Sequence, residues 1–289
     1  MFTEDSAPQL KPRDEQPLPF PDQPARLEPT TDNTSFTAPS PWWHVLKAGT
    51  VWLASVLVLV FLPVIVAIPY LVYKLVVAGP GTQEALLKDP TLILISVLAI
   101  LPVHVITFAI AWFYVTSNGR YPFWKSIGFE WPQSLSPTAG VMLSVVVAVV
   151  LYALAIVFTN LWGGGKTDLD LLIESSKPAR FVLAFAAVAT APLVEELIYR
   201  GVLYTALERA VGKGISIFAV SLLFAGVHVV QYRNNIAVIL VITLLSFTLT
   251  TVRAATGKLL PAFIIHLVFN GIQSVLLVLG AFIDHELFK

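Results

Sequence analysis

The sequence predicts an all-α protein: a polytopic bundle of about seven to eight transmembrane helices, preceded by a disordered N-terminal tail. Apolar residues make up 56% of the 289 residues and charged residues only 12%, against roughly a quarter charged in soluble proteins. The apolar residues form continuous runs and do not alternate with polar ones, which favours helices over a transmembrane β-barrel. Composition and run pattern together indicate a protein of the lipid bilayer.

The predicted tail comprises residues 1–43. Four prolines lie between positions 17 and 24 among acidic and small polar residues, without the apolar periodicity that a packed core requires. We expect this segment to be disordered and partly polyproline-like. Trp42 and Trp43 at its end are amphipathic residues suited to the bilayer interface.

Apolar segments then recur to the carboxyl end and divide into N-terminal helices, 44–177, and a carboxyl-terminal catalytic core, 178–283. The four cleanest segments lack Asp, Glu, Lys and Arg, and each exceeds the roughly 20 residues that cross a hydrocarbon core of about 30 Å. These four are residues 51–73, 91–115, 138–162 and 259–283. Three less regular segments complete a set of seven: 181–199, 214–230 and 236–252.

Charge and cysteine content exclude several classes of function. The 18 basic residues equal the 18 acidic ones, which removes the argument for a nucleic-acid partner. The absence of cysteine excludes disulfides, thiolate metal sites and cysteine nucleophiles. With seven spans, seven Lys and Arg residues lie on the amino-terminal side and six on the other, so the positive-inside rule leaves the orientation open.

Two adjacent glutamates near the end of segment 181–199 are the first candidates for a functional site. Burying a charged residue at the centre of a membrane helix costs about 2.5–3.5 kcal/mol, so its presence there needs a functional or structural reason. In a helix, Glu196 and Arg200 are four residues apart and can form an ion pair, whereas Glu195 points about 100° away. Glu195 is then the candidate general base. The alternative is a pair of solvated glutamates at a helix end. Pro192 removes a helical hydrogen bond just before the pair and should loosen the backbone.

Two further polar clusters lie on separate apolar helices. Phe224 and His228 share a helix face, and so do His266 and Asn270. The second pair can donate hydrogen bonds to one point, as in an oxyanion hole built from side chains. The alternatives are a core histidine bonded to a backbone carbonyl for His228 and an interhelical polar contact for the second pair. We assign the purely structural role to His104, whose segment offers no matching polar neighbour.

Together the three clusters provide what a hydrolase site within a membrane requires. They supply a base to activate water, a residue to orient the water and donors for an oxyanion. The common soluble catalytic motifs, such as Gly-x-Ser-x-Gly, His-Glu-x-x-His and the P-loop, are absent from the sequence.

The three motifs resemble those of the CPBP family, the CAAX prenyl protease and bacteriocin-processing intramembrane proteases, also called abortive-infection-like. The family pattern is Glu-Glu-x-x-x-Arg, then Phe-x-x-x-His, then His-x-x-x-Asn. The flanking segments APLVEELIYRGVLYTALE and SLLFAGVHVV are also similar to the family, and the resemblance covers about residues 178–280. The matching positions are Glu195-Glu196-x-x-x-Arg200, Phe224-x-x-x-His228 and His266-x-x-x-Asn270.

The resemblance implies a role for each motif residue. Glu195 would activate the hydrolytic water and His228 would help to orient it. His266 and Asn270 would stabilise the oxyanion, with Phe224 in support.

By the same resemblance, Glu196 and Arg200 would hold the helix and its charge in place. A glutamate mechanism without a cofactor is preferred. The family was long described as metalloproteases, however, so zinc bound by Glu195, His228 and His266 stays open as a two-histidine, one-carboxylate site.

The predicted function is therefore an intramembrane endopeptidase, multi-pass in the cytoplasmic membrane of a prokaryote. Its partners are the lipid bilayer and a peptide or protein substrate, membrane-anchored or prenylated in related enzymes. A transporter with a buried Glu/Arg/His relay is disfavoured by the lack of an internal repeat and by polar groups confined to the carboxyl-terminal part. A non-catalytic immunity or scaffold protein is disfavoured because it has no physical reason to keep a costly unpaired carboxylate.

Overall fold

The computed structural model describes residues 41–77, 79, 85–86, 89–167, 170, 173–174 and 176–287. All regular structure in these ranges is helical, as predicted. Residues 1–40 of the predicted tail lie outside the described residues. Residues 41–43, assigned above to the tail, instead form the first turn of a helix, since a proline at a helix start loses no intrahelical hydrogen bond.

The helices are numbered here in chain order, and a π-helical segment, Leu197–Leu203, lies between α7 and α8. They are α1 Pro41–Val77, α2 Pro90–Leu98, α3 Ile100–Val115, α4 Phe123–Ser126, α5 Pro137–Trp162, α6 Lys177–Ala189, α7 Ala191–Glu196, α8 Tyr204–Val211, α9 Lys213–Tyr232, α10 Ile236–Thr256 and α11 Leu260–Leu287.

The predicted multi-pass helical bundle is confirmed. Within the described ranges, six helical stretches are long and apolar enough to cross a bilayer. A seventh arises if the stretch from α6 to α8, bent by 42°, is one span. The large apolar side chains on the outer face of α1 are exposed, Phe61 and Ile65 among them, as expected of a surface in contact with lipid.

Polar side chains define where several helices begin and end. Ser136, Ser176 and Asn235 each accept a hydrogen bond from the backbone N–H three residues later, at the starts of α5, α6 and α10. Gly257, in the left-handed region at φ 66°, ends α10.

The buried apolar residues form two clusters. One surrounds the π-helical segment and includes residues from α1, α3, α4 and α9. The other joins α5, α10 and α11, where Ala148, Ala155 and Ala262 are buried. Small residues at these positions let helices approach closely in a membrane. The two clusters therefore fix the π-helical segment, which directly follows the two glutamates, and α11, which carries His266 and Asn270.

The connection between α3 and α5 packs against the start of α11. The Gly128 carbonyl, at a residue with φ 67°, accepts a hydrogen bond from the Leu259 N–H at 2.8 Å. Lys258 forms an ion pair with Glu130 and holds the pKa of that carboxyl below its usual range. These contacts fix the position from which α11 begins.

Asp89 ties the start of α2 to α1. Its carboxylate accepts hydrogen bonds from the N–H groups of Thr91 and Leu92 at 2.9 and 3.0 Å. It also pairs with Lys74 Nζ at 2.7 Å and accepts a hydrogen bond from the Tyr70 hydroxyl at 3.1 Å. The Lys74 hydrogen bond, with smaller contributions from the other donors, holds the pKa of Asp89 at about 2.

This low pKa predicts an acid-sensitive contribution to stability. Because the folded-state pKa lies below the unfolded value of about 3.9, the stabilisation is complete above that pH and is lost as the pH falls towards 2. Asp89→Asn keeps a good N-cap but does not titrate. We expect the variant to unfold at a lower temperature than the wild type at pH 6, and the difference to shrink below pH 4. Tryptophan fluorescence during heating in detergent measures both, and a difference independent of pH would contradict this assignment.

Candidate active site

A broken helix carries the two glutamates. Thr190 departs from helical geometry, with φ −125° and ψ −42°, two residues before Pro192, which has no N–H to donate. The break therefore falls where the proline predicted it. The π-helical segment that follows Glu196 adds a residue to the turn, a feature frequent at functional sites.

The π-helical segment is anchored to the end of α10 by Arg253. Arg253 Nε and the Thr205 hydroxyl each donate to the Arg200 carbonyl at 3.4 Å. The other guanidinium nitrogens of Arg253 donate to the Gly257 carbonyl and to Thr205 Oγ1. The Arg200 carbonyl in the widened turn thus has one partner on another helix, Arg253.

The ion pair expected from the i, i+4 spacing is present and fully buried. Arg200 Nη1 lies 2.9 Å from Glu196 Oε1, and both side chains are 0% exposed. Arg200 also donates to the Ser246 carbonyl at 3.1 Å, to Ser246 Oγ at 2.7 Å and to Thr250 Oγ1 at 3.2 Å. The Phe224 ring lies 4.7 Å from the guanidinium carbon. Arg200 is therefore held by α10 and α9 as well as by its own helix.

His266 lies between the two glutamates. Its Nδ1 is 2.9 Å from Glu196 Oε1 and its Nε2 is 3.6 Å from Glu195 Oε2. Because the arginine-paired Glu196 carboxylate only accepts, Nδ1 is the donor, and Nε2 faces Glu195. His266 is 2% exposed, whereas the Glu195 side chain is 26% exposed. Glu195 is thus the accessible carboxylate of the pair.

Glu196 also has an unsatisfied oxygen. Its Oε2 is buried and has no hydrogen-bond partner among the described residues. Such an acceptor suits a buried water molecule or a polar group of a ligand.

The orientation of His228 is set by its own helix and by aromatic neighbours. Nδ1 lies 2.8 Å from the Phe224 carbonyl, so Nδ1 is the donor and Nε2 of the neutral ring is left as an acceptor. The ring packs between Phe224, at 4.8 Å between centroids, and Tyr232, at 6.4 Å. The bond to a backbone carbonyl is the contact expected of a core histidine, but it also fixes the tautomer that a water-orienting residue needs.

Asn270 makes an interhelical contact. Its Nδ2 donates to the Ala187 carbonyl in the last turn of α6 at 3.0 Å. His266 Nδ1 meanwhile bonds to Glu196, so these two donors have separate partners. The second N–H of the Asn270 amide and Nε2 of His266 are the groups that can still meet a ligand.

His104 makes a contact that its own segment does not reveal. Its Nδ1 lies 2.7 Å from Thr190 Oγ1, at the break between α6 and α7. The sequence of its own helix does not reveal this partner, which is 86 residues away in the chain. A threonine two residues before the helix-breaking Pro192 was the sequence signal that could have indicated this position.

Zinc at the alternative site of Glu195, His228 and His266 stays a prediction. Within the described ranges, no three His, Asp or Glu side chains form a group that could hold a metal ion. His266 approaches Glu195 through Nε2, and the bond from His228 Nδ1 to a backbone carbonyl leaves Nε2 of that ring free.

The motifs coincide with a family match. The model of the family described as type II CAAX prenyl endopeptidase Rce1-like matches residues 177–272, from the first residue of α6 and through all seven motif positions. No curated protein and no solved structure matches the chain. The match confirms the resemblance to the CPBP family and supports a peptidase that is an integral, multi-pass membrane protein.

Proposed function

We propose that this chain, whose residues 177–272 match the CAAX prenyl endopeptidase family, is an intramembrane endopeptidase that uses a water molecule activated by Glu195. One observation carries the proposal: His266 contacts both glutamates, while Arg200 neutralises only Glu196. The arrangement leaves Glu195 as the partly exposed carboxylate next to a ring nitrogen, which is what a general base beside an oxyanion site requires.

The charges of the site balance when His266 is protonated. Arg200 then offsets the charge of Glu196, and the imidazolium offsets that of Glu195. A neutral cluster avoids the large cost of an uncompensated charge in a low-dielectric environment. The Nε2–H of such an imidazolium points towards the Glu195 side, where the carbonyl oxygen of a substrate would gain negative charge.

The reaction then needs one proton relay. A water molecule between Glu195 and His228 Nε2 gives a proton to the Glu195 carboxylate, and its oxygen attacks the carbonyl carbon of the scissile bond. The oxyanion accepts hydrogen bonds from His266 Nε2–H and from the free N–H of Asn270. Protonated Glu195 then delivers the proton to the leaving nitrogen as the C–N bond breaks, which regenerates the carboxylate.

The substrate class follows from the family description. We propose a peptide or protein whose cleaved bond lies at the membrane, and a prenylated CAAX carboxyl terminus is the first candidate. We place the protein in the cytoplasmic membrane of a prokaryote, where cell fractionation would find it.

The test is cleavage by the full chain purified in detergent, with a quenched fluorescent peptide that ends in a farnesylated CAAX sequence. The same peptide without the farnesyl group is the control for lipid recognition. We expect cleavage of the farnesylated peptide that EDTA and dipicolinate leave unchanged, because the proposed reaction activates water with the Glu195 carboxylate and uses no metal. Activity lost on chelation and restored by zinc would overturn the metal-free mechanism. Glu195-dependent solute flux in proteoliposomes without cleavage of either peptide would overturn the peptidase.

A further inference from the structure

We infer that His104, on α3 and outside the matched range 177–272, is a positioning residue for the general base. It holds Thr190, the helix break that directly precedes the helix carrying Glu195. The inference rests on the proposed function of Glu195. It starts from the 2.7 Å contact between His104 Nδ1 and Thr190 Oγ1, which joins an N-terminal helix to the catalytic core.

Hydrogen-bond geometry fixes the direction of this contact. The Thr190 hydroxyl donates its one hydrogen to the Ala186 carbonyl at 3.2 Å. Its oxygen must therefore accept from His104, which makes Nδ1 the donor. His104 thus donates a hydrogen bond to the Thr190 hydroxyl, which in turn donates to the last turn of α6.

The contact between His104 and Thr190 matters because of the position of Thr190 in the chain. Thr190 is the non-helical residue between α6 and α7, and α7 begins at the next residue and carries Glu195. On the other side of the break, Asn270 donates to the Ala187 carbonyl. The break is therefore held from α3 by His104 and from α11 by Asn270, and the first of these lies outside the three motifs.

The packing of α3 supports the same inference. Helix α3 packs against α7 and against the π-helical segment, so a displacement of α3 acts directly on the turn that carries the glutamates. A shift of about 1 Å in a catalytic group can reduce the rate about 10²-fold.

Three variants test whether the effect of His104 comes from its hydrogen bond to Thr190 or only from the volume of its side chain. His104→Leu removes the donor, Thr190→Val removes the acceptor, and His104→Asn keeps an N–H at the position of Nδ1. We expect His104→Leu and Thr190→Val each to lower kcat about 10- to 100-fold with KM unchanged, and His104→Asn to recover most of the rate. The double variant His104→Leu/Thr190→Val should be no slower than either single variant, because both remove one interaction.

His44→Leu, on α1, is the matched control and should leave kcat unchanged. Hydrogen–deuterium exchange of residues 186–194 gives a readout that does not depend on activity: it should rise in His104→Leu and not in His104→Asn. Unchanged exchange and unchanged kcat in His104→Leu, or additive losses in the double variant, would overturn the inference. If the wild type cleaves no peptide, the proposed function fails, and the exchange result still decides whether His104 holds the break.

Discussion

Glu195→Gln is expected to lower kcat for peptide cleavage by about 10²–10⁴-fold, the usual contribution of a general base. Glutamine has the same shape and can still accept a hydrogen bond from water, but it cannot take up the proton. Glu195 is partly exposed and lies 3.6 Å from His266 Nε2, so the substitution leaves the buried Glu196–Arg200 pair intact. The unfolding temperature should therefore stay near that of the wild type.

Initial rates with the quenched peptide and tryptophan fluorescence during heating measure the two effects on one preparation. Glu174→Gln is the matched control, because Glu174 is 49% exposed in a surface ion pair with Lys166, and such pairs contribute little. Glu195→Asp keeps the carboxylate but withdraws it by one methylene, so its rate should fall between the wild type and Glu195→Gln. Cleavage by Glu195→Gln at the wild-type rate would exclude Glu195 as the base.

The sequence predicts the helices of this protein well, because a bilayer leaves few alternatives. Continuous apolar runs of sufficient length indicate spans without any knowledge of tertiary contacts. The break at Thr190 was also predictable, since Pro192 removes a hydrogen bond from the helix. The π-helical segment Leu197–Leu203 was not, because its partners, such as Arg253 for the Arg200 carbonyl, come from a distant helix.

The site shows the same division between local and long-range contacts. The spacing predicts the Glu196–Arg200 pair because both residues share one turn. It does not reveal that His266 bridges the two glutamates, since that contact spans 70 residues of the chain. The sequence of α10 does contain a pattern that indicates a polar contact. Ser246, Thr250 and Arg253 lie on one face of this helix, and all three form hydrogen bonds with Arg200 of the π-helical segment.

Arg200→Met is expected to be the most destabilising single substitution at the site. It leaves the Glu196 carboxylate buried without its cation, and breaking one side of a buried ion pair costs about 3–5 kcal/mol. The acceptors on Ser246 and Thr250 lose their donor in the same step. Arg209→Met, at an exposed arginine of α8, is the control and should change the unfolding temperature little. The chain has no cysteine and seven tryptophans, so intrinsic fluorescence is the suitable probe.

A second variant separates the stability of the pair from its role in catalysis. Glu196→Gln/Arg200→Met removes both charges, so it should be more stable than Arg200→Met alone, because no unpaired charge is then buried. Its cleavage rate should nevertheless stay low, since the variant lacks the Glu196 carboxylate that orients His266 through Nδ1. A double variant as unstable as Arg200→Met would show that lost packing of the arginine, and not the orphaned carboxylate, causes the defect. A double variant with the wild-type rate would show that the charge of Glu196 has no part in orienting His266.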